Sequence, residues 1–184
     1  MIYYHASRIK GLKSLKPSIS NHGKSLVYFS SKKENTLVYL SNAIEVVCRQ
    51  KGLILDKYQK WASYGFKDGL LKLDEYYLDA TKETYQNVSG YIYTVEAELE
   101  RLEEISDCYI SDKEVEVKEC EFIPDAYEAL LKAEKENKII LQTYDQMSDR
   151  QKQWLKETIK KEYLEAKEDY RLFLETKFSE YLKS

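Results

Sequence analysis

Glycine and histidine are scarce in this chain, at six and two of 184 residues. Six glycines leave little backbone for cradling phosphates, and no Gly-x-x-x-x-Gly-Lys-Ser occurs, which argues against P-loop and dinucleotide folds. The histidines, His5 and His22, belong to no His-x-x-x-His, and no Cys-x-x-Cys accompanies them, so no metal site is expected. The absence of a Gly-x-Ser-x-Gly elbow argues against Ser-His-Asp chemistry. Cys48, Cys108 and Cys120 are odd in number and suggest free buried thiols in a reducing compartment. No run approaches the ~18 apolar residues that span a bilayer. The opening Met1-Ile2-Tyr3-Tyr4-His5 lacks the basic and apolar stretches of a signal peptide, so the expected location is the cytoplasm. Charge of one sign is also lacking: the net value is −3, with no basic cluster for duplex nucleic acid or an anionic membrane.

What is present is a globular composition, 43% apolar and 33% charged, in a length that suits one domain or one domain with an appendage. Tyrosine is abundant, 17 against five phenylalanines. It suits a core with polar boundaries, or, at a few positions, stacking surfaces for a planar ligand. Ile2–His5 and Leu26–Ser30 read as strands around a turn-rich loop. From Lys33 to Arg49 the apolar Leu37, Leu40, Ala43, Ile44 and Val47 share a helical face. Trp61–Phe66 and Leu70–Leu73 flank Asp68-Gly69, a hairpin signal. Asp79–Gln86 suggests a short helix, Gly90–Glu96 the clearest strand, Glu114–Lys118 a half-buried strand, and the segment after Pro124 a helix.

Ser148-Asp149-Arg150-Gln151 is a capping box, and no glycine or proline follows it. Leu155, Ile159, Tyr163, Tyr170 and Phe178 then lie on one stripe, which predicts an amphipathic helix to Ser184. Unbroken, it would reach about 50 Å. Its distal apolar end would then need cover, most simply from a second copy in a homodimer. The expected organisation is therefore an α+β domain over 1–147 and a C-terminal helix over 148–184.

Three segments carry candidate chemistry. Tyr4-His5-Ala6-Ser7 ends the first strand; Val27-Tyr28-Phe29-Ser30 is the second, with Tyr39 on the helix behind it; Glu114-Val115-Glu116-Val117 comes late. Their order resembles the ADP-ribosyltransferase fold, in the branch with a His, a Tyr and a late acidic residue at the NAD site. There the first strand ends in Tyr-His-Gly-Ser or Tyr-His-Gly-Thr; here Ala6 stands for the glycine. Val27-Tyr28-Phe29 is similar to a strand of the poly(ADP-ribose) polymerase and rifampin-transferase groups, and Gly90–Glu96 to a Gly-x-Ile-Tyr-x-Val-Glu strand of the latter. The resemblance spans roughly Tyr3 to Pro124 with long gaps.

It implies a small, mostly antiparallel, twisted β-core with helices at its edges. It also implies NAD as substrate and ADP-ribose transfer to an unknown acceptor. His5 and Ser7 would meet the adenosine-side ribose, Tyr28 and Tyr39 would sandwich nicotinamide, and Ser30 would line the same site. Glu114 would be the acidic residue that stabilises developing positive charge, with Glu116 the competing choice. Two rivals stand beside this reading: a non-catalytic interaction module of phage or mobile-element origin, and RNA 2′-phosphotransfer. The second is disfavoured by the lack of clustered Arg. Plainer accounts also exist for each residue: a structural histidine, core tyrosines, and a solvated face among Asp112, Glu119 and Glu121.

Overall fold

The computed structural model describes residues 1–19, 24–42 and 64–183. Its strands are β1 (Ile2–Ser7), β2 (Ser14–Leu15), β3 (Ser18–Ile19), β4 (Ser25–Phe29), β5 (Tyr64–Lys67), β6 (Leu70–Asp74), β7 (Gly90–Glu96), β8 (Glu100–Arg101), β9 (Tyr109–Ser111), β10 (Val115–Glu116), β11 (Glu119–Ile123) and β12 (Ile139–Gln142). The α-helices are α1 (Ala80–Tyr85), α2 (Ala126–Lys135), α3 (Asp149–Glu165), α4 (Glu168–Lys177) and α5 (Ser179–Leu182), and 3-10 turns cover Lys33–Tyr39 and Tyr144–Gln146.

Gly90–Glu96 is apolar on both faces, as a central strand should be. It pairs antiparallel with β1 on one side and β11 on the other, with His5 and Cys120 both opposite Tyr93. Alternation divides its side chains between two cores. Tyr93 and Val95 join Tyr3, Val27 and Phe29 on one face. Ile92 joins Ala6, Leu37, Leu40, Leu71 and Leu130 on the other. The second sheet, ordered β3-β4-β9-β8, meets the first at a bridge: Tyr4 N donates to Ser30 O at 2.8 Å and Ser30 N to Tyr4 O at 3.0 Å.

Asp68-Gly69 forms the expected hairpin, with both residues at positive φ (52° and 75°), the signature of a tight two-residue turn between β5 and β6. The third strand of that sheet, β12, runs parallel to β6. Asp125 caps α2 by accepting from Tyr127 N at 2.8 Å and Glu128 N at 3.1 Å. The mixed α+β class and the mostly antiparallel pairing agree with the reading of the sequence.

Three elements differ from it. The single C-terminal helix is broken: the capping box at Ser148 and Gln151 starts α3 as expected, but the backbone is extended at Ala166 and Lys167. The break lets α4 fold back, so that Leu155 and Ile159 share a core with Phe173, Leu174, Phe178, Tyr77 and Ala80. Burial of both apolar faces on their own chain outweighs helix continuity, which contributes little once packing is available. Of the expected stripe, Leu155, Ile159 and Phe178 are thus buried within the chain, and Tyr163 and Tyr170 partly so.

Lys33–Tyr39 is a 3-10 turn rather than α-helix, and Leu40–Asn42 is not helical. The remainder of the expected helix to Arg49, with Cys48, lies outside the described residues, as do His22 and Trp61. Finally, Glu114–Lys118 is not one strand. Val115–Glu116 pairs with β2, and the late strand beside β7 is β11. Of the described thiols, Cys108 is buried and Cys120 exposed, and both are free. No described helix is long and apolar enough to cross a membrane.

Candidate functional site

Where β1 meets the end of β4, the two sheets diverge and leave a cleft. It is lined by Tyr4, His5 and Ala6 from β1, Tyr28, Phe29 and Ser30 from the end of β4, and Asn35, Thr36 and Tyr39 from the 3-10 turn. Tyr64 and Phe66 from β5 and the loop Ile105–Cys108 complete the lining. On β4, Val27 and Phe29 belong to the core, and Tyr28 alternates to the other side. Tyr39 and Tyr64 stand together, their hydroxyls 3.3 Å apart and their rings edge to face. Burial, with the neighbouring Tyr64, pushes the Tyr39 hydroxyl far above the ordinary phenol range, so it stays protonated. The enclosed volume is about 30 Å3. That is room for one or two waters, so a whole nucleotide is admitted only if rim side chains move.

His5 Nδ1 lies 2.9 Å from Tyr28 O. A carbonyl only accepts, so Nδ1 carries the hydrogen, and a neutral ring has its lone pair on Nε2. Four of the residues singled out from sequence, His5, Tyr28, Ser30 and Tyr39, therefore line one cleft. Ser7 does not; its hydroxyl accepts from Ile9 N at 3.2 Å in the turn after β1. Nor do the two glutamates. Glu114 accepts from the Ser14 hydroxyl and lies 3.8 Å from Lys16, and Glu116 pairs with Lys118 at 3.3 Å, both on the outer β2–β10 ladder.

The carboxylate that does line the cleft is Asp107. One of its oxygens accepts from Ser31 N at 3.0 Å and from the Ser31 hydroxyl; the other meets the Ser30 hydroxyl and Asn35 Nδ2, the latter at 2.6 Å. Ser30 has one hydrogen, also within reach of Lys32 O at 2.8 Å. Burial pushes the Asp107 carboxyl up, but the bonds from Ser30, Ser31 and Asn35 outweigh it and hold the group below its ordinary value. Asp107 sits at φ 50°, a left-handed conformation that Asp tolerates better than most residues.

No family model, curated protein or solved structure matches the chain. The site is therefore described by its own geometry. Asp107 and Asn35 escaped the sequence reading for different reasons. Asp107 lies in a turn before a strand, where an aspartate usually serves the turn alone. Asn35 sits among Lys33, Glu34 and Thr36, on what reads as the wet face of a helix, yet it is 4% exposed. Among the described residues, no group of three or more His, Cys, Asp or Glu side chains is arranged to hold a metal ion.

Proposed function

We propose that the cleft binds NAD and that the chain transfers ADP-ribose from it to an acceptor nucleophile. One observation carries this reading: His5, then Tyr28 with Ser30, and Tyr39, chosen from the sequence before the fold was known, line the same cleft. In the reaction, the bond between ribose C1′ and the nicotinamide nitrogen breaks, and its electron pair leaves with nicotinamide. Positive charge grows on the ribose, and the acceptor attacks C1′ and loses its proton.

Each part of the cleft has a task in that scheme. Tyr28 and Tyr39 offer faces for the planar leaving ring, and His5, fixed by Tyr28 O, offers a polar ring for a ribose hydroxyl. The electrostatic role falls to Asp107, because Glu114 and Glu116 are not among the lining residues. With both oxygens already accepting hydrogen bonds, Asp107 is a poor proton acceptor but a dependable negative charge, which is what an oxocarbenium-like state needs. Its assignment differs from the late glutamate that the resemblance implied.

Following nicotinamide release from NAD tests the proposal. Activity is expected from the wild-type chain, at least 100-fold less from Asp107→Asn, and near wild-type rates from Glu114→Gln. No release by the wild type at millimolar NAD would refute it. A non-catalytic binding module is the second reading, favoured by one feature: the cleft's carboxylate already has its oxygens engaged in holding the loop at 105–108.

A further inference from the structure

We infer that the hollow between α2, the 3-10 turn at Lys33–Tyr39 and the edge strand β11 binds a free α-amino acid with a small aliphatic side chain. This site is separate from the cleft and does not depend on the NAD reading.

Small residues create the hollow. α2 turns Ala129, Lys132, Ala133 and Glu136 toward it, a spacing that puts all four on one helical face. The two alanines, one helical turn apart, leave space that longer side chains would fill. Leu37 from the 3-10 turn and Ile123 from β11, both buried, complete an apolar floor. The volume is about 120 Å3, against about 30 Å3 in the cleft. A cavity of about 150 Å3 takes a benzene-sized apolar group, so this one suits a branched aliphatic chain and excludes a nucleotide.

Charges on the rim define the other end of the ligand. Lys33 is matched by Glu121 at 2.5 Å. Lys138 serves two carboxylates, Glu34 at 2.8 Å and Glu136 at 2.9 Å. Burial pushes the Glu34 carboxyl up, but Lys138 and Lys33 outweigh it and hold it below its ordinary value; Lys138 lowers Glu136 as well. Two ionised carboxylates therefore share one cation, and one negative charge is in surplus. The remaining cation on the rim is Lys132, which among the described residues forms no ion pair. It precedes Glu136 by four positions, and side chains so placed on a helix stand about 5–6 Å apart. An unmatched ammonium and a surplus carboxylate at that separation, above an apolar floor, complement a zwitterion. The ligand carboxylate meets Lys132, its ammonium meets Glu136, and its side chain lies on Ala129 and Ala133.

Calorimetric titration with L-leucine tests this, beside 3-methylbutylamine, which lacks its carboxylate, and 4-methylpentanoate, which lacks its ammonium. The wild-type chain is expected to bind leucine at millimolar concentration and each analogue at least about tenfold more weakly. Lys132→Met, at an exposed position, should weaken leucine by at least about tenfold and leave the amine within about twofold. Ala129→Leu, checked for folding by its thermal transition, should abolish binding of all three by filling the hollow. No heat with leucine, or equal affinities for leucine and both analogues, overturns the inference. Leucine binding that survives in a folded Ala129→Leu overturns the placement. Should Ala129→Leu fail to fold, Lys132→Met decides: loss for leucine alone supports the site, and unchanged leucine affinity overturns it.

Discussion

At the scale of single residues, Asp107 carries the clearest consequence for pH. Its carboxyl is held below the ordinary aspartate value of about 3.9 by Ser30, Ser31 and Asn35. The folded state therefore binds its proton less readily than the unfolded chain does. The associated stability is full above the unfolded value and is lost as pH falls through the folded one. Thermal melts between pH 6 and 3 should show a steeper loss for the wild type than for Asp107→Asn. At neutral pH the variant should be weaker by about 1–2 kcal/mol, a charge-assisted hydrogen-bond contribution discounted for partial exposure. Asparagine tolerates the left-handed backbone at this position, so the loss reports on the bonds and not on strain. Glu114→Gln and Glu116→Gln should change stability by less than about 0.5 kcal/mol, since their partners, the Ser14 hydroxyl with Lys16 and Lys118, are all at the exposed surface.

At the scale of elements, Gly90 shows why β7 opens as it does. A Cβ there would stand 2.5 Å from Leu40 Cδ2 and 3.1 Å from Ser7 O. Leu40 is fully buried, so Gly90→Ala should cost about 1–3 kcal/mol in a denaturant titration, as overpacking does. Elements whose identity depends on local chemistry were legible in the sequence: the Asp68-Gly69 turn, the doubly apolar β7, the capped start of α3. Those decided by distant partners were not. The Ile139-Ile140-Leu141 run is short enough to suit strand or helix, and only its parallel pairing with β6 decides. Lys33–Arg49 has a helical spacing of apolar residues, yet Lys33–Tyr39 is a 3-10 turn, within which Asn35 bonds to Asp107, 72 residues away, a contact that local spacing does not reveal. The cleft was legible in its aromatic and histidine members and illegible in Asp107 and Asn35, whose roles exist only after folding joins their loops.

At the scale of the molecule, the helices after Met147 are fastened to the β-domain rather than extended from it. Lys177 pairs with Glu83 on α1 and lies over the Tyr77 ring at 5.4 Å. Tyr144 and Tyr181 share a hydrogen bond at 2.7 Å, and Glu75 accepts from both Thr81 N and Tyr144 N. Phe173 and Phe178 close on Tyr77 from two sides. Phe178→Asp should therefore unfold this unit, costing roughly 3 kcal/mol or more, and sedimentation equilibrium of the wild type should find a monomer at tens of micromolar.

The partnership of β1 with β7 also governs the order of events while the chain is being made. Ile2 is opposite Glu96 and Ser7 opposite Tyr91, so β1 leaves the ribosome well before its partner and waits until about residue 96 has emerged. Throughout that interval the nascent Ile2-Tyr3-Tyr4 segment is an unpaired strand rich in apolar surface, the kind that chaperones hold and that aggregates when they do not. Such long-range closure also slows refolding from denaturant, toward the millisecond-to-second range of high-contact-order domains.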